Sequence, residues 1–462
     1  MLAKFKKKYI GDWDFYQKYL LLAIPMILQN AITNLVSFLD NIMVGQLGTE
    51  QMSGVAIVNQ LIFVYNLAIF GAVSAASIFG AQYFGKGNHK GHMYSFRFKL
   101  YATLLVTGGA ILLFLTKGSA LISLYLTDTV GNGATALALQ YGLEYLAIMM
   151  VGLIPFAVNQ SYATNIKETG QTFIPMLASF VAVGTNAILD YLMIFGIGPF
   201  PELGVQGAAL ATVIARYIEA LIVVIWAHIH RGKNRYLEGA YTGFGIPLAE
   251  LKAILIKGFP LMMNEVLWAA GMTTVTQCYS VRGLNVVAGL NIASTITNLF
   301  NIVYLQLGSC ISIVVGQYLG AGKLEDAKDA DNKMIVFSVF CCVIMAALMF
   351  VVGGFFPGIY NTTEEIRELA TSFIAVSAII MPFCAFSHAS YFTLRSGGKT
   401  VVTFLFDSVF TWVIVVPAAY LLAHFTGLGI VSIYFLVQGT ELIKVIIGYL
   451  MVKSNVWVVQ MV

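Results

Sequence analysis

Charged side chains are scarce in this chain: Asp, Glu, Lys and Arg make up 10% of its 462 residues, while 59% are apolar and the mean hydropathy is +0.82. A soluble domain carries roughly a quarter charged residues, so an ordinary water-facing surface is excluded. Cysteine is sparse too. Cys278, Cys310, Cys341, Cys342 and Cys384 all lie in apolar runs, which excludes a disulfide framework and marks them as small packing residues. His228 and His230 stand close together at a basic helix end, and no metal-ligand pattern is expected. No phosphate-cradling glycine motif occurs, which excludes ATP-driven pumping. The net charge of +4 comes from loop Lys and Arg, so no nucleic-acid partner is expected.

What the chain has in abundance is long apolar runs, each near the roughly 20 residues that span hydrocarbon. Their cores fall at about 16–43, 54–80, 98–116, 138–163, 172–196, 205–229, 254–280, 287–316, 334–353, 368–393, 401–421 and 429–451. The pattern predicts an all-α polytopic membrane protein with twelve transmembrane helices. The basic start, MLAKFKKKYIGDWDF, is read as the flank of an uncleaved first span, because no small-residue cleavage site follows it. Loop charge sets the orientation. Lys4, Lys6, Lys7 and Lys8 precede the first span. The even loops carry Lys86, Lys90, Arg97 and Lys99; Lys167; Arg231, Lys233 and Arg235; Lys323, Lys328 and Lys333; and Arg395 and Lys399. The odd loops hold only Lys117, Arg282 and Arg367. Both termini are therefore expected in the cytoplasm of a cell inner or plasma membrane protein.

An internal repeat divides the chain. GAQYFGKGN (Gly80–Asn88) returns as VGQYLGAGK (Val315–Lys323), an offset of 235 residues, and at that offset Pro25 meets Pro260, Gly54 meets Gly289, Asn66 meets Asn301 and Ser74 meets Ser309. SYATNIKETGQT (Ser161–Thr172) is echoed by SYFTLRSGGKT (Ser390–Thr400). Equivalent spans then cross in one direction, and the two six-helix lobes are related by a pseudo-twofold axis along the membrane normal. The expected organisation is an N-lobe over 1–229, a cytoplasmic linker over 230–251 and a C-lobe over 252–462, with the linker's LAEL suiting a surface-lying helix.

Two acids sit inside the apolar runs of the first half. Asp40 and Asp190 are each placed about five or six residues from the outer end of their spans, and Thr212 about eight residues into its own, a spread of roughly one helical turn in depth. Asn186 precedes Asp190 by one turn and shares its helix face. A carboxylate inside a span is costly and marks an ion, proton or substrate site. Two carboxylates with an amide and a hydroxyl supply hard oxygen ligands, so Asp40, Asn186, Asp190 and Thr212 are a candidate site for Na⁺, or for a proton on a carboxylate. The repeat gives the second half no copy: Asp40 meets Val275 and Asp190 falls near Ala418.

The second half has its own polar residues. Glu265, with Asn264 before it and Trp268 one turn on, could hold an organic cation by charge and π-face attraction; its repeat partner is Asn30. Asp407 is read as structural. In the last span of each half an i,i+3 pair recurs with inverted signs, Arg216/Glu219 and Glu441/Lys444, read as local pairing that makes each charge tolerable. Pro25, Pro155, Pro260, Pro382 and Pro417 interrupt spans, and Pro25 and Pro260 are candidate hinges. The eighteen methionines suit an adaptable apolar interior.

SFLDNIMVGQLG around Asp40, the GAQYFGKGN and GQYLGAGK loops, TNAILDYLMIFG and LGVQGAALAT together resemble the multidrug and toxic compound extrusion (MATE) family, prokaryotic type, over nearly the whole chain. The resemblance implies two six-helix lobes in a V and antiport of Na⁺ or H⁺ against organic cations and drugs, with no cofactor, no enzymatic step and a monomeric unit in the bilayer. By position, Asp40, Asn186, Asp190 and Thr212 resemble the family's N-lobe cation site. Glu265 falls near where NorM-like members place a C-lobe acid, and Lys399 stands in a loop where some members have one. The alternative within the same superfamily is a lipid-linked oligosaccharide or lipid flippase, whose cavity tends to be basic.

Overall fold

The structure, a computed structural model, describes residues 9–126 and 132–462. The basic cluster Lys4, Lys6, Lys7 and Lys8 lies outside the described residues. Among those described, twelve helices are long and apolar enough to cross a membrane. In chain order they are α1 (Trp13–Gly45), α2 (Thr49–Lys86), α3 (His89–Ser123), α4 (Asn132–Glu168), α5 (Phe173–Ile194), α6 (Val205–Ile229), α7 (Leu248–Ser280), α8 (Leu284–Gly320), α9 (Leu324–Gly353), α10 (Glu364–Ser396), α11 (Thr400–Phe425) and α12 (Ile430–Lys453). Many large apolar side chains, such as Leu105, Leu115, Ile229 and Val413, face outward. A helix apolar on all sides suits a lipid environment.

Several helices overrun the apolar cores. α2, α3 and α4 have 38, 35 and 37 residues, or more than about 50 Å each at 1.5 Å per residue, against a hydrocarbon core of about 30 Å. Three of the cations assigned to loops are accordingly inside helices and buried: Arg97 and Lys99 in α3, and Arg395 in α10. The linker also differs from expectation. It carries a single 3₁₀ turn at Arg235–Leu237, and the LAEL segment is the first turn of α7, not a separate surface helix. Arg97 donates to the linker carbonyls of Gly239, Ala240 and Gly245 at 2.7–2.9 Å, and Tyr236 is buried against His92 and Phe96.

The chain forms two compact units. The first comprises residues through Ala23, Ala81–Asn88 and Ala253–Val462; the second comprises Ile24–Gly80 and His89–Lys252. The core of the second unit joins α2, α4 and α6 through Val58, Ile69, Leu153, Ala157 and Val213. That of the first joins α8, α9, α10 and α12 through Phe300, Cys342, Phe373, Met381 and Ile433. The chain passes between units at Ala23–Ile24, beside Pro25 in α1.

The repeat is visible in backbone geometry inside the first unit. Gly87 and Gly322, 235 residues apart, end α2 and α8 with φ of +73° and +72°. A Cβ on Gly85 would lie 2.0 Å from the Gln317 carbonyl oxygen, and one on its repeat partner Gly320 would lie 1.9 Å from that of Gln82. This reciprocal crossing is what two copies facing each other across a twofold require, and only glycine permits it. The Gln82 side chain secures it, donating to Ser396 O at 2.9 Å and accepting from Met461 N at 2.8 Å. Gly320→Ala is therefore expected to lower stability by about 1–3 kcal/mol, the usual cost of overpacking. Gly109→Ala, in open space within α3, is expected to leave stability unchanged or raised. Thermal unfolding of the detergent-purified variants separates the two.

Candidate functional site

The structure brings Asp40, Asn186, Asp190 and Thr212 together within the second unit. Asp40 comes from the C-terminal part of α1, Asn186 and Asp190 from successive turns of α5, and Thr212 from α6. Asn186 and Asp190 are 6% and 1% exposed, which places the inner face of α5 against α6. The Asn186 amide donates to Thr212 Oγ1 at 3.4 Å and lies beside the Asp190 carboxyl. The Asp40 and Asp190 carboxyls are direct neighbours.

What the acids lack defines the site. Asp40 Oδ1 and both oxygens of Asp190 are buried with no donor in hydrogen-bond geometry. Among the described residues no Lys, Arg or His forms an ion pair with either acid. Two adjacent carboxyls in this setting need a positive charge to share, either a proton between them or a small cation. The oxygen donors suit a hard monovalent ion, and among the described residues no three His, Cys, Asp or Glu side chains gather as a metal cluster. Sequence reasoning missed one layer of this site. Tyr145 of α4, itself buried, lies within electrostatic reach of Asp40, Asp190 and Arg216 and donates to Asn59 Oδ1 at 3.4 Å. Both are uncharged polar residues in apolar runs, and nothing in their spacing points at the acids.

The other candidates separate. Asn264 is 2% exposed and is held by structure: its amide nitrogen donates to Asp407 Oδ2 at 3.0 Å, and its Oδ1 accepts from the Ser408 hydroxyl at 2.8 Å and backbone N–H at 3.2 Å. Glu265 is half-buried, with no ion pair among the described residues, and Trp268 stands partly exposed one turn on. Asn30 belongs to the second unit, whereas Glu265, Asn264 and Trp268 belong to the first, and its amide donates to Met26 O at 2.9 Å.

Neither i,i+3 charge pair closes on itself, which corrects the local-pairing expectation. Glu219 accepts from Ser179 and lies beside Asn159, while Ser179 also accepts from Gln29 at 2.7 Å. Arg216 reaches the Gly152 carbonyl at 3.4 Å and sits over the Phe156 ring. In α12, Lys444 pairs with Asp407 at 2.6 Å instead of with Glu441. Arg216, Glu219 and Lys444 thus each find a partner on a neighbouring helix, while Glu441 Oε1 stays without a donor.

The profile of the MatE family matches residues 25–192 and 260–421, one segment in each half, and both segments start at the prolines paired by the repeat. The chain belongs to the MatE family. Relatives within it include two proteins named "Probable multidrug resistance protein NorM". That of Thermotoga maritima is 23% identical over 89% of this chain and 86% of its own length; that of Halalkalibacterium halodurans is 24% identical over 89% and 88%. A solved structure described as an outward-facing conformation of a multidrug resistance MATE family transporter of the MOP superfamily superposes with a TM-score of 0.85 at 20% identity, covering 96% of each chain. A MOP superfamily transporter from Pyrococcus furiosus gives the same TM-score and coverage. These likenesses establish the MatE fold for this twelve-helix membrane protein.

Within that fold, the hydrogen bonds rank the first unit's polar residues by structural weight. Asn264→Ala removes a donor from Asp407 and an acceptor from Ser408, and is expected to cost about 1–3 kcal/mol. Glu265→Gln breaks no ion pair and is expected to change stability little. Melting temperatures of the two purified variants check this ordering.

Proposed function

We propose that this protein is an antiporter that exports organic cations or drugs in exchange for a monovalent cation, Na⁺ or H⁺, entering at Asp40 and Asp190. The observation that carries this reading is the adjacency of the buried Asp190 and the half-buried Asp40, which together hold three buried carboxyl oxygens without a donor and have no ion-pair partner among the described residues. Such a pair changes its charge state when a cation arrives, and that change can bias a conformational equilibrium. Asn186 and Thr212 provide the neutral oxygens that complete a coordination shell. The names of the NorM relatives support a multidrug substrate class.

Coupling follows if the loaded and unloaded acid pair favour different arrangements of α1. Pro25 interrupts the hydrogen-bond ladder of that helix next to the point where the chain passes between units. Loading at Asp40 would then be felt as bending at Pro25. Both termini are assigned to the cytoplasm on the loop-charge rule. The flippase reading needs a basic cavity; of the cations inside spans, Lys444 is held by a carboxylate at 2.6 Å, and Arg216 reaches the Gly152 carbonyl and lies over the Phe156 ring.

Asp40→Asn and Asp190→Asn should each abolish ethidium efflux driven by an imposed Na⁺ or H⁺ gradient in proteoliposomes, while expression and membrane insertion remain at wild-type level. Gradient-driven efflux at the wild-type rate in Asp190→Asn would remove the assignment.

A further inference from the structure

Asp407 and the Asp40/Asp190 pair are treated in opposite ways. In the second unit Asp40 and Asp190 have no basic partner among the described residues. In the first, Asp407 has one built in: Lys444 Nζ lies 2.6 Å from Asp407 Oδ1, with the lysine side chain 8% exposed and the aspartate 15% exposed. The other carboxylate oxygen accepts from Asn264 at 3.0 Å, and the ammonium also sits over the Phe406 ring at 5.4 Å. A carboxylate, an amide and an aromatic face are what a bound monovalent cation would be offered; here the ammonium is covalently part of the chain.

Two further observations mark this as more than a packing contact. Asp407 lies in a π-helical turn, Leu405–Val409, followed by a second one at Thr411–Val415. Such turns loosen the hydrogen-bond ladder and recur at functional sites. Glu441, one turn before Lys444 on the same helix, keeps a buried Oε1 with no donor, although a lysine able to reach it stands three residues away. Lys444 therefore has two acids within reach and occupies one. The other titratable groups facing this cluster include Cys384, His388, Tyr391 and Arg395 of α10, Tyr304 of α8 and Glu265 of α7. In the repeat, Lys444 takes the place of Glu219, so the cation is a feature of this half alone.

We infer that Lys444 is a tethered counter-cation occupying a monovalent-cation site at Asp407, and that its presence removes this site from ion exchange. Freed of the ammonium, Asp407 would have to take a proton or Na⁺ from solution, because a buried carboxylate stripped of its partner is strongly disfavoured. The inference rests on the antiport reading for its assay but not for its outcome. Lys444→Gln is predicted to add one exchanged cation per substrate to whatever number the wild type shows, including zero.

The test counts monovalent cations per ethidium in proteoliposomes, from the ethidium gradient held at equilibrium by a fixed Na⁺ gradient and, separately, a fixed H⁺ gradient. The expected result is a count higher by one in Lys444→Gln, under the Na⁺ gradient if sodium takes the place and under the H⁺ gradient if a proton does. The double variant Asp407→Asn/Lys444→Gln should return to the wild-type count. A folded Lys444→Gln with an unchanged count under both gradients overturns the inference. Should Lys444→Gln not fold, a folded double variant shows that Asp407 requires a resident cation and upholds it, whereas loss of both proteins overturns it. A wild-type count of zero under both gradients would instead refute the antiport reading.

Discussion

A carboxylate moved from water into hydrocarbon loses several kcal/mol of hydration unless it is protonated, paired or bound to a cation. Buried acids in this structure meet that demand in different ways. Glu168 takes Lys99 at 2.5 Å, Asp407 takes Lys444 at 2.6 Å, and Asp331 takes the Thr393 hydroxyl at 2.5 Å. Asp40 and Asp190 are different, because two carboxyls are set against each other with no ion-pair partner among the described residues. A neutralising charge for such a pair would come from outside the chain, and the proposed cation site rests on that dependence.

The same demand shapes the helices around them. A site near the C-terminal end of α1 needs partners at the same level, and α5 and α6 supply Asn186 and Thr212 from faces that pack tightly, with Ala178, Ala182, Ala208, Ala209 and Ala211 buried. Small residues let membrane helices approach closely where lipid provides no hydrophobic drive between them. Within the first unit Gly85 and Gly320 do this in its extreme form, bringing backbone against backbone at equivalent positions of the two repeat copies.

Much of this is legible in the amino-acid sequence. Depth along three apolar runs places Asp40, Asp190 and Thr212 at one level, and the i,i+4 spacing puts Asn186 on the face of Asp190; both follow from helix rise and pitch alone. The 235-residue offset is likewise written in Gly, Pro and Gln, and the paired φ values of Gly87 and Gly322 restate it in geometry. The partners of the charges are not legible. Arg97 and Lys99 read as loop residues because a helix can continue past the bilayer on polar sequence. Lys444 reads as Glu441's partner because i,i+3 spacing is local, whereas its contact with Asp407 crosses helices and depends on the π turns of α11, whose extra residues shift register without a marker in composition. Tyr145 and Asn59 lack charge, so the depth argument that finds the acids passes over them.

The central claim is that Asp40 and Asp190 together bind one monovalent cation, and equilibrium binding tests it without any transport assay. A ligand that binds only the folded protein raises its stability in proportion to the logarithm of its concentration, by about 2.7 kcal/mol at one hundred times Kd. Thermal unfolding of the purified protein should therefore show a saturable shift with Na⁺ at fixed pH and ionic strength, or with acidification at fixed Na⁺, and the shift should vanish in both Asp40→Asn and Asp190→Asn. The same shift persisting in either variant would contradict the assignment.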